Sequence, residues 1–191
     1  MSRFLCPLVV ASVIWLFQLF SINPMLYAED LDRYWTVLLG EKSLPPSDTD
    51  AIGYVGLKFQ DDLTRLVYTV NAENIGNVTG IYIYKGDKNQ NGSIVLDLLK
   101  AEKEHGSDDP KVVNVTSEGK ITGTLSIGGA TKNDLQGVLK GKTLSDLHNL
   151  MVNGTLYISI HTKGFPQGEI RGNSFVGIDR LFPDFVDIKW K

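Results

Sequence analysis

From Tyr34 to Asn173 apolar and polar residues alternate in short runs, and glycine, proline, asparagine and aspartate break the runs apart. Alternation puts successive side chains on opposite faces of a strand, so each run predicts a strand with one buried face. The runs are Tyr34 to Leu39, Ile52 to Gln60, Arg65 to Val70, Val78 to Tyr84, Ile94 to Leu99, Val112 to Val115 and Lys120 to Ile127. Asp61-Asp62 reads as the turn between the second and third, and Gly128-Gly129 as the end of the seventh. Lys100 to Pro110 is charged and turn-rich and reads as a solvated excursion.

One stretch keeps a different period. Leu144, Leu147, Leu150 and Met151 fall on one helical stripe. Thr143 precedes them as a cap, with Asp146 placed as in a capping box, and Asn153-Gly154 closes the segment. A single short helix is expected over 143–152, docked through Leu144, Leu147 and Leu150, with Asp146 exposed. Eight or so strands with one helix predict an all-β fold, an antiparallel sandwich or Greek-key barrel.

The last alternating run, Leu156 to Thr162, forms a hairpin with the segment 163–173. Leu156, Ile158 and Ile160 alternate with Tyr157, Ser159 and His161; a turn occupies Lys163 to Gln167, and Glu169-Ile170-Arg171 returns. Pairing Thr162 with Gly168 sets Ile160 opposite Ile170, Ser159 opposite Arg171 and His161 opposite Glu169. Tyr157 and Arg171 are expected on the same face as that last pair. The polar cluster of His161, Glu169, Arg171 and Ser159 reads as a hydrogen-bonded network that fixes the register, with Glu169 held by His161 or Arg171. An acid–base role would need a cleft, a nucleophile and an oxyanion site as well, and Ser159 is the only nucleophile nearby. No catalytic residue is assigned.

The N-terminus is different in kind. Arg3 is its only charge before Glu29, and Phe4 to Phe20 is almost wholly apolar. Residues 1–28 read as a secretory signal cut near Ala28; the alternative is an uncleaved anchor, since Phe4 to Ile22 is long enough to span a bilayer. Either way the rest of the chain is expected outside the cytoplasm. The one cysteine, Cys6, lies in this segment, so stability must come from packing and not from disulfides. The net charge of −3, without a basic patch, argues against nucleic acid as a partner. The final segment, 176–191, is rich in Phe182, Phe185, Val186 and Trp190, and is expected to dock with Phe185 to Trp190 as an edge strand.

His161-Thr162, a Gly/Pro loop and then Gly168-Glu169-Ile170-Arg171-Gly172 resemble the C-terminal motif of the chordin-type (CHRD) domain. Trp35 to Pro46, ending in Pro45-Pro46, is similar to its opening strand and turn, and Gly92 to Leu98 to its middle strand. The resemblance covers roughly 33–175. It implies an immunoglobulin-like or superoxide-dismutase-like β-fold. Many members carry His-x-His in the strand after the first hairpin; here Tyr82 and Tyr84 stand at those positions, which speaks against a copper-dependent role.

No cofactor is expected. A weaker metal reading places Ca²⁺ on Asp87, Asn89 and Asn91, where Asp87 to Gly92 fits the first half of an EF-hand loop, although Leu98 stands where the twelfth-position Glu belongs. Asn77, Asn91, Asn114 and Asn153 each open an Asn-x-Ser/Thr sequon, candidate glycosylation sites in an exported chain. The function expected is an extracellular or cell-surface binding or scaffold module and not an enzyme. Its partner would be an extracellular protein or cell-envelope component, and its membrane contact only an uncleaved N-terminus. The alternative is a metal-dependent cell-surface enzyme on a superoxide-dismutase-like barrel.

Overall fold

The computed structural model describes residues 33–105, 113–115 and 119–177. Its strands are β1 (Arg33–Leu39), β2 (Ile52–Gln60), β3 (Arg65–Ile75), β4 (Val78–Lys85), β5 (Ser93–Asp97), β6 (Val113–Val115), β7 (Ile121–Thr131), β8 (Leu156–Thr162), β9 (Ile170–Gly172) and β10 (Val176–Gly177). Among the described residues two α-helices, α1 (Leu98–His105) and α2 (Leu144–Val152), interrupt them, with three short 3-10 turns. All strands join one antiparallel sheet in the order β5-β4-β8-β9-β1-β2-β3-β7-β6, with β10 beside β1. Consecutive strands β3 and β4 fall in different halves of this order, as do β5 and β6, β7 and β8, and β9 and β10, so the chain crosses between the halves four times. The expected all-β antiparallel fold is present as one curled sheet whose halves share a core.

The alternation read from the sequence builds that core. In the β2–β3 pair Val55 lies opposite Val70, Leu57 opposite Tyr68 and Phe59 opposite Leu66, all buried. In the other half Ile81 and Ile83 of β4 meet Ile160 and Ile158 of β8, and Ile160 meets Ile170 of β9. These side chains belong to a single cluster. Each is worth about 1.5–3 kcal/mol when fully buried, enough to fix which face of every strand points inward.

Helix α2 docks where its stripe requires. Leu144, Leu147 and Met151 are buried, and Leu150 is partly buried against the core. The Thr143 hydroxyl accepts the Asp146 N–H at 3.2 Å, and an Asp146 carboxylate oxygen accepts the Thr143 N–H at 2.9 Å. The box is complete, and those bonds leave Asp146 only partly exposed.

The segment read as a solvated excursion contains α1 instead. The Asp97 carboxylate accepts the Lys100 N–H, as an N-cap does, and Leu98 and Ala101 are buried one turn apart. The buried Tyr68 hydroxyl donates to the Leu98 carbonyl at 2.6 Å. Helix α1 packs against β7, whose inward residues Ser126, Gly128 and Ala130 are small. Gly128-Gly129 therefore does not close the strand, which continues to Thr131.

The β5 edge of the sheet is guarded. The Gln136 N–H donates to the Val95 carbonyl at 2.9 Å, laying a loop along β5. Beside β1, Leu39 pairs with Arg171 and Trp35 with Val176, four steps against five, so β9 and β10 run along the same strand with a one-residue bulge between them. The start of the apolar tail is thus paired through Val176 and Gly177. Residues 1–28 and the expected strand from Phe185 to Trp190 lie outside the described residues.

Candidate functional site

The register of the hairpin is the one its loop length predicts: Ser159 opposite Arg171 and Ile160 opposite Ile170. Ile160 and Ile170 face the core. Tyr84, Tyr157, Ser159, His161 and Arg171 stand on the opposite, outer face, yet Tyr157, Ser159 and Arg171 are buried. Loops fold over this face and cover them.

Arg171 holds one of those loops. Its Nη1 donates to Asn91 Oδ1 at 2.9 Å, and its Nη2 donates to the carbonyls of Gln90, at 2.9 Å, and Asp87. The guanidinium also lies 3.5 Å over the Tyr157 ring. The planar fork of arginine suits several acceptors at once, which a lysine could not match. The Gly92 N–H donates to the Tyr157 hydroxyl at 3.0 Å, so the loop from Gly86 to Gly92 is tied to the sheet by a charge and a ring.

These contacts give other partners to part of the set read as calcium ligands, Asp87, Asn89 and Asn91. The inward-pointing oxygens of this loop already surround a cation, the Arg171 guanidinium. An Asp87 carboxylate oxygen turns to the Asn89 N–H at 2.8 Å, an ordinary polar turn. Both ends of the Asn91 amide are engaged, since its Nδ2 donates to the Leu44 carbonyl at 2.9 Å.

Glu169 holds a second loop, and its partners differ from those expected. It is bonded neither to His161 nor to Arg171. Its carboxylate accepts the Thr162 hydroxyl at 2.6 Å and the Thr49 hydroxyl at 2.7 Å. Its backbone carbonyl accepts the hydroxyls of Ser43 and Ser47. Strand β9 begins only at Ile170, and Gly168 has φ +118, so Glu169 escapes strict alternation and turns to the hydroxyl-rich loop from Ser43 to Thr49. The two charges of the motif thus point apart, each fastening one long loop, and the Leu44–Asn91 bond joins those loops to each other.

His161 fastens the third. Its Nδ1 lies 2.9 Å from the Pro166 carbonyl, which can only accept, so Nδ1 carries the proton. Nε2 then accepts the Tyr84 hydroxyl at 2.9 Å. The Tyr84 ring stacks on Tyr157 at 4.8 Å and 3°, and Tyr82 meets His161 edge-on at 5.2 Å. Burial and the neighbouring Tyr157 raise the Tyr84 pKa well above that of a free phenol. Ser159 is bound too: its hydroxyl donates to the Ile170 carbonyl at 3.2 Å. In this arrangement the Ser159 hydroxyl is engaged with the backbone and not with His161, and the two are not placed as nucleophile and base.

Among the described residues no group of three or more His, Cys, Asp and Glu side chains gathers as metal ligands. Tyr82 and Tyr84 adjoin His161, so phenols occupy the places beside it. Of the sequons, Asn77 is exposed at the β3–β4 turn and Asn153 at the end of α2, while Asn114 lies in β6.

The three loops leave a cavity of ≈210 Å³ between them. Ser43 and Leu44, Asn91 and Gly92, and Gln167 supply its walls, and Tyr84, Tyr157 and Arg171 its floor. The hairpin motif was readable as polar, but the part played by the Ser43–Thr49 hydroxyls and the Tyr84–Tyr157 stack was not. A usable signal was present: Tyr82, Tyr84 and Tyr157 all occupy outward positions of their strands.

The chain belongs to the CHRD domain family, whose model matches residues 34–173. The family is of the binding type and occurs in extracellular or secreted proteins. Neither the characterised proteins nor the solved structures give a match.

Proposed function

We propose that the protein is an exported binding or scaffold module that acts at the cell surface or outside it, and that its partner, an extracellular protein or cell-envelope component, is engaged through the three clamped loops. The observation that carries this reading is the use of the CHRD motif. Glu169, Arg171 and His161 each spend their polar groups on a different loop, and the cavity lies among those loops. Side chains invested in holding loops prepare a surface for recognition, because a loop already ordered loses less freedom on binding. The apolar N-terminus supports export.

The test has two parts. A reporter enzyme that is active only outside the cytoplasm, fused after the last residue, reads export; a silent reporter on an intact fusion refutes it. The purified exported protein is then used to capture components of its own cell envelope, beside a variant with Gln167→Ala and Lys163→Ala in the exposed hairpin loop. A component retained by the native protein and lost by the variant supports the loop surface. Equal retention by both would place binding elsewhere. Stoichiometric copper or zinc in the same preparation would favour the metal-dependent enzyme instead.

A further inference from the structure

Arg171 is 2% exposed, and among the described residues no carboxylate forms an ion pair with it; the charge of Asp87 acts on it only from beyond contact distance. The partners of Arg171 are two carbonyls, one carboxamide oxygen and one ring face. Asp87, the acidic residue of the loop it clamps, commits a carboxylate oxygen to its own turn. Buried charges are ordinarily paired, because neutral acceptors only partly replace lost hydration. Desolvation accordingly lowers the Arg171 pKa from its ordinary value, although an arginine remains charged at any working pH.

The cavity continues this charge. Three of the five guanidinium N–H groups are used, and Nε–H is not one of them. The Tyr157 hydroxyl accepts from Gly92 and keeps its own proton to donate. Gln167 is exposed at the rim, with its carboxamide unbonded among the described residues. No aspartate or glutamate lines the cavity. At ≈210 Å³ the cavity lies below the range of roughly 300–1,000 Å³ usual for drug-sized ligands and suits a short acid.

We propose that this cavity binds a carboxylate, from a short free acid or from an acidic side chain of a partner protein, with Arg171 supplying the charge and Tyr157 and Gln167 supplying donors. The carboxylate completes the pairing that the fold leaves open. This deepens the binding-module reading and rests on it only for biological meaning, since the chemistry can be read in isolation.

The test is a titration of the purified, ¹⁵N-labelled exported protein monitored by NMR at the Arg171 Nε–H signal. Butyrate should move that signal saturably, and butyramide, which has the same shape without the charge, should bind at least about tenfold more weakly. Gln167→Ala should weaken butyrate about threefold while leaving the melting temperature unchanged. Arg171→Lys should weaken it at least about tenfold; should that variant fail to fold, Tyr157→Phe and Gln167→Ala together carry the comparison. Equal binding of butyrate and butyramide, or shifts confined to surface lysines, would overturn the proposal. A glutamate-rich hexapeptide set against its glutamine counterpart separates the sources: affinity well above butyrate assigns the carboxylate to a partner protein, and affinity no better assigns it to a free acid. A failed titration alongside successful envelope capture removes the carboxylate and leaves the binding module standing. A cytoplasmic reporter result would do the reverse.

Discussion

Glu169 and Arg171 are two residues apart, carry opposite charges and do not meet. The carboxylate takes hydroxyls from Thr49 and Thr162, and the guanidinium takes oxygens from the 86–92 loop. Glu169→Gln keeps the shape but turns one acceptor into a donor facing a hydroxyl. Its stability should fall by about 1.5–3 kcal/mol, read from a denaturant titration, because hydrogen bonds to a charged group are lost in a buried place. Thr36 gives the opposite case. Its hydroxyl is buried at 3% exposure in β1 without a partner among the described residues. Thr36→Val should raise stability by about 1 kcal/mol in the same titration, since an unpaired hydroxyl costs more than the methyl that replaces it; a loss would show that the hydroxyl finds a partner in solution. The sequence told which residues carry polar groups, and the pairing register told their order along the strand. It did not tell where they point once the strand ends, because Gly168 and the Ser43–Thr49 loop decide that together.

The two helices differ in how openly the chain announces them. Helix α2 has its cap, its stripe and its terminator within the segment itself, so local pattern sufficed. Leu147→Ala should cost about 2–4 kcal/mol by thermal or chemical melting, as expected for a leucine 1% exposed; a change below about half a kcal/mol would mean that the helix does not need its dock. The cap adds a dependence on pH. Hydrogen bonds from the Thr143 backbone and side chain hold the Asp146 carboxyl below the usual aspartate value. A carboxylate depressed in the folded state contributes stability above its unfolded pKa and loses that contribution as pH falls through the folded value. The stability gap between the native protein and Asp146→Ala should therefore be full at neutral pH and shrink below about pH 4; a gap that stays constant down to strongly acid pH would refute the capping role. Helix α1 was hidden because its charged residues dominate the composition, while its evidence is non-local: the buried Tyr68 hydroxyl on Leu98 and the small inward residues of β7.

Over the whole molecule the strands were readable one at a time, since each buried face shows as alternation. Their arrangement was not, since nothing local says that β4 seeks β8 or that β3 seeks β7. The loops carried even less sign of their meeting, because their contacts join Leu44 to Asn91 and Arg171 to Gln90 across long stretches of chain. The sheet has a further property of this kind. Strand β9, only three residues long, pairs with β8 on one side and with Leu39 of β1 on the other, and so bridges the two halves. It is also nearly the last part of the domain to be synthesised. A chain emerging from a ribosome can assemble the β1–β2–β3 meander early, but it cannot hydrogen-bond that meander edge to edge with β8 until residues 170–172 arrive. Contacts so distant in sequence form slowly, and an incomplete chain exposes the inner faces of both halves. A chain stopped after Gln167 should accordingly be digested by a dilute protease at least about tenfold faster than the full one; equal resistance would show that the halves unite without their bridge. The lateness of β9 makes the domain a clock: until its last strands have been made, the two halves of the sheet are not joined edge to edge.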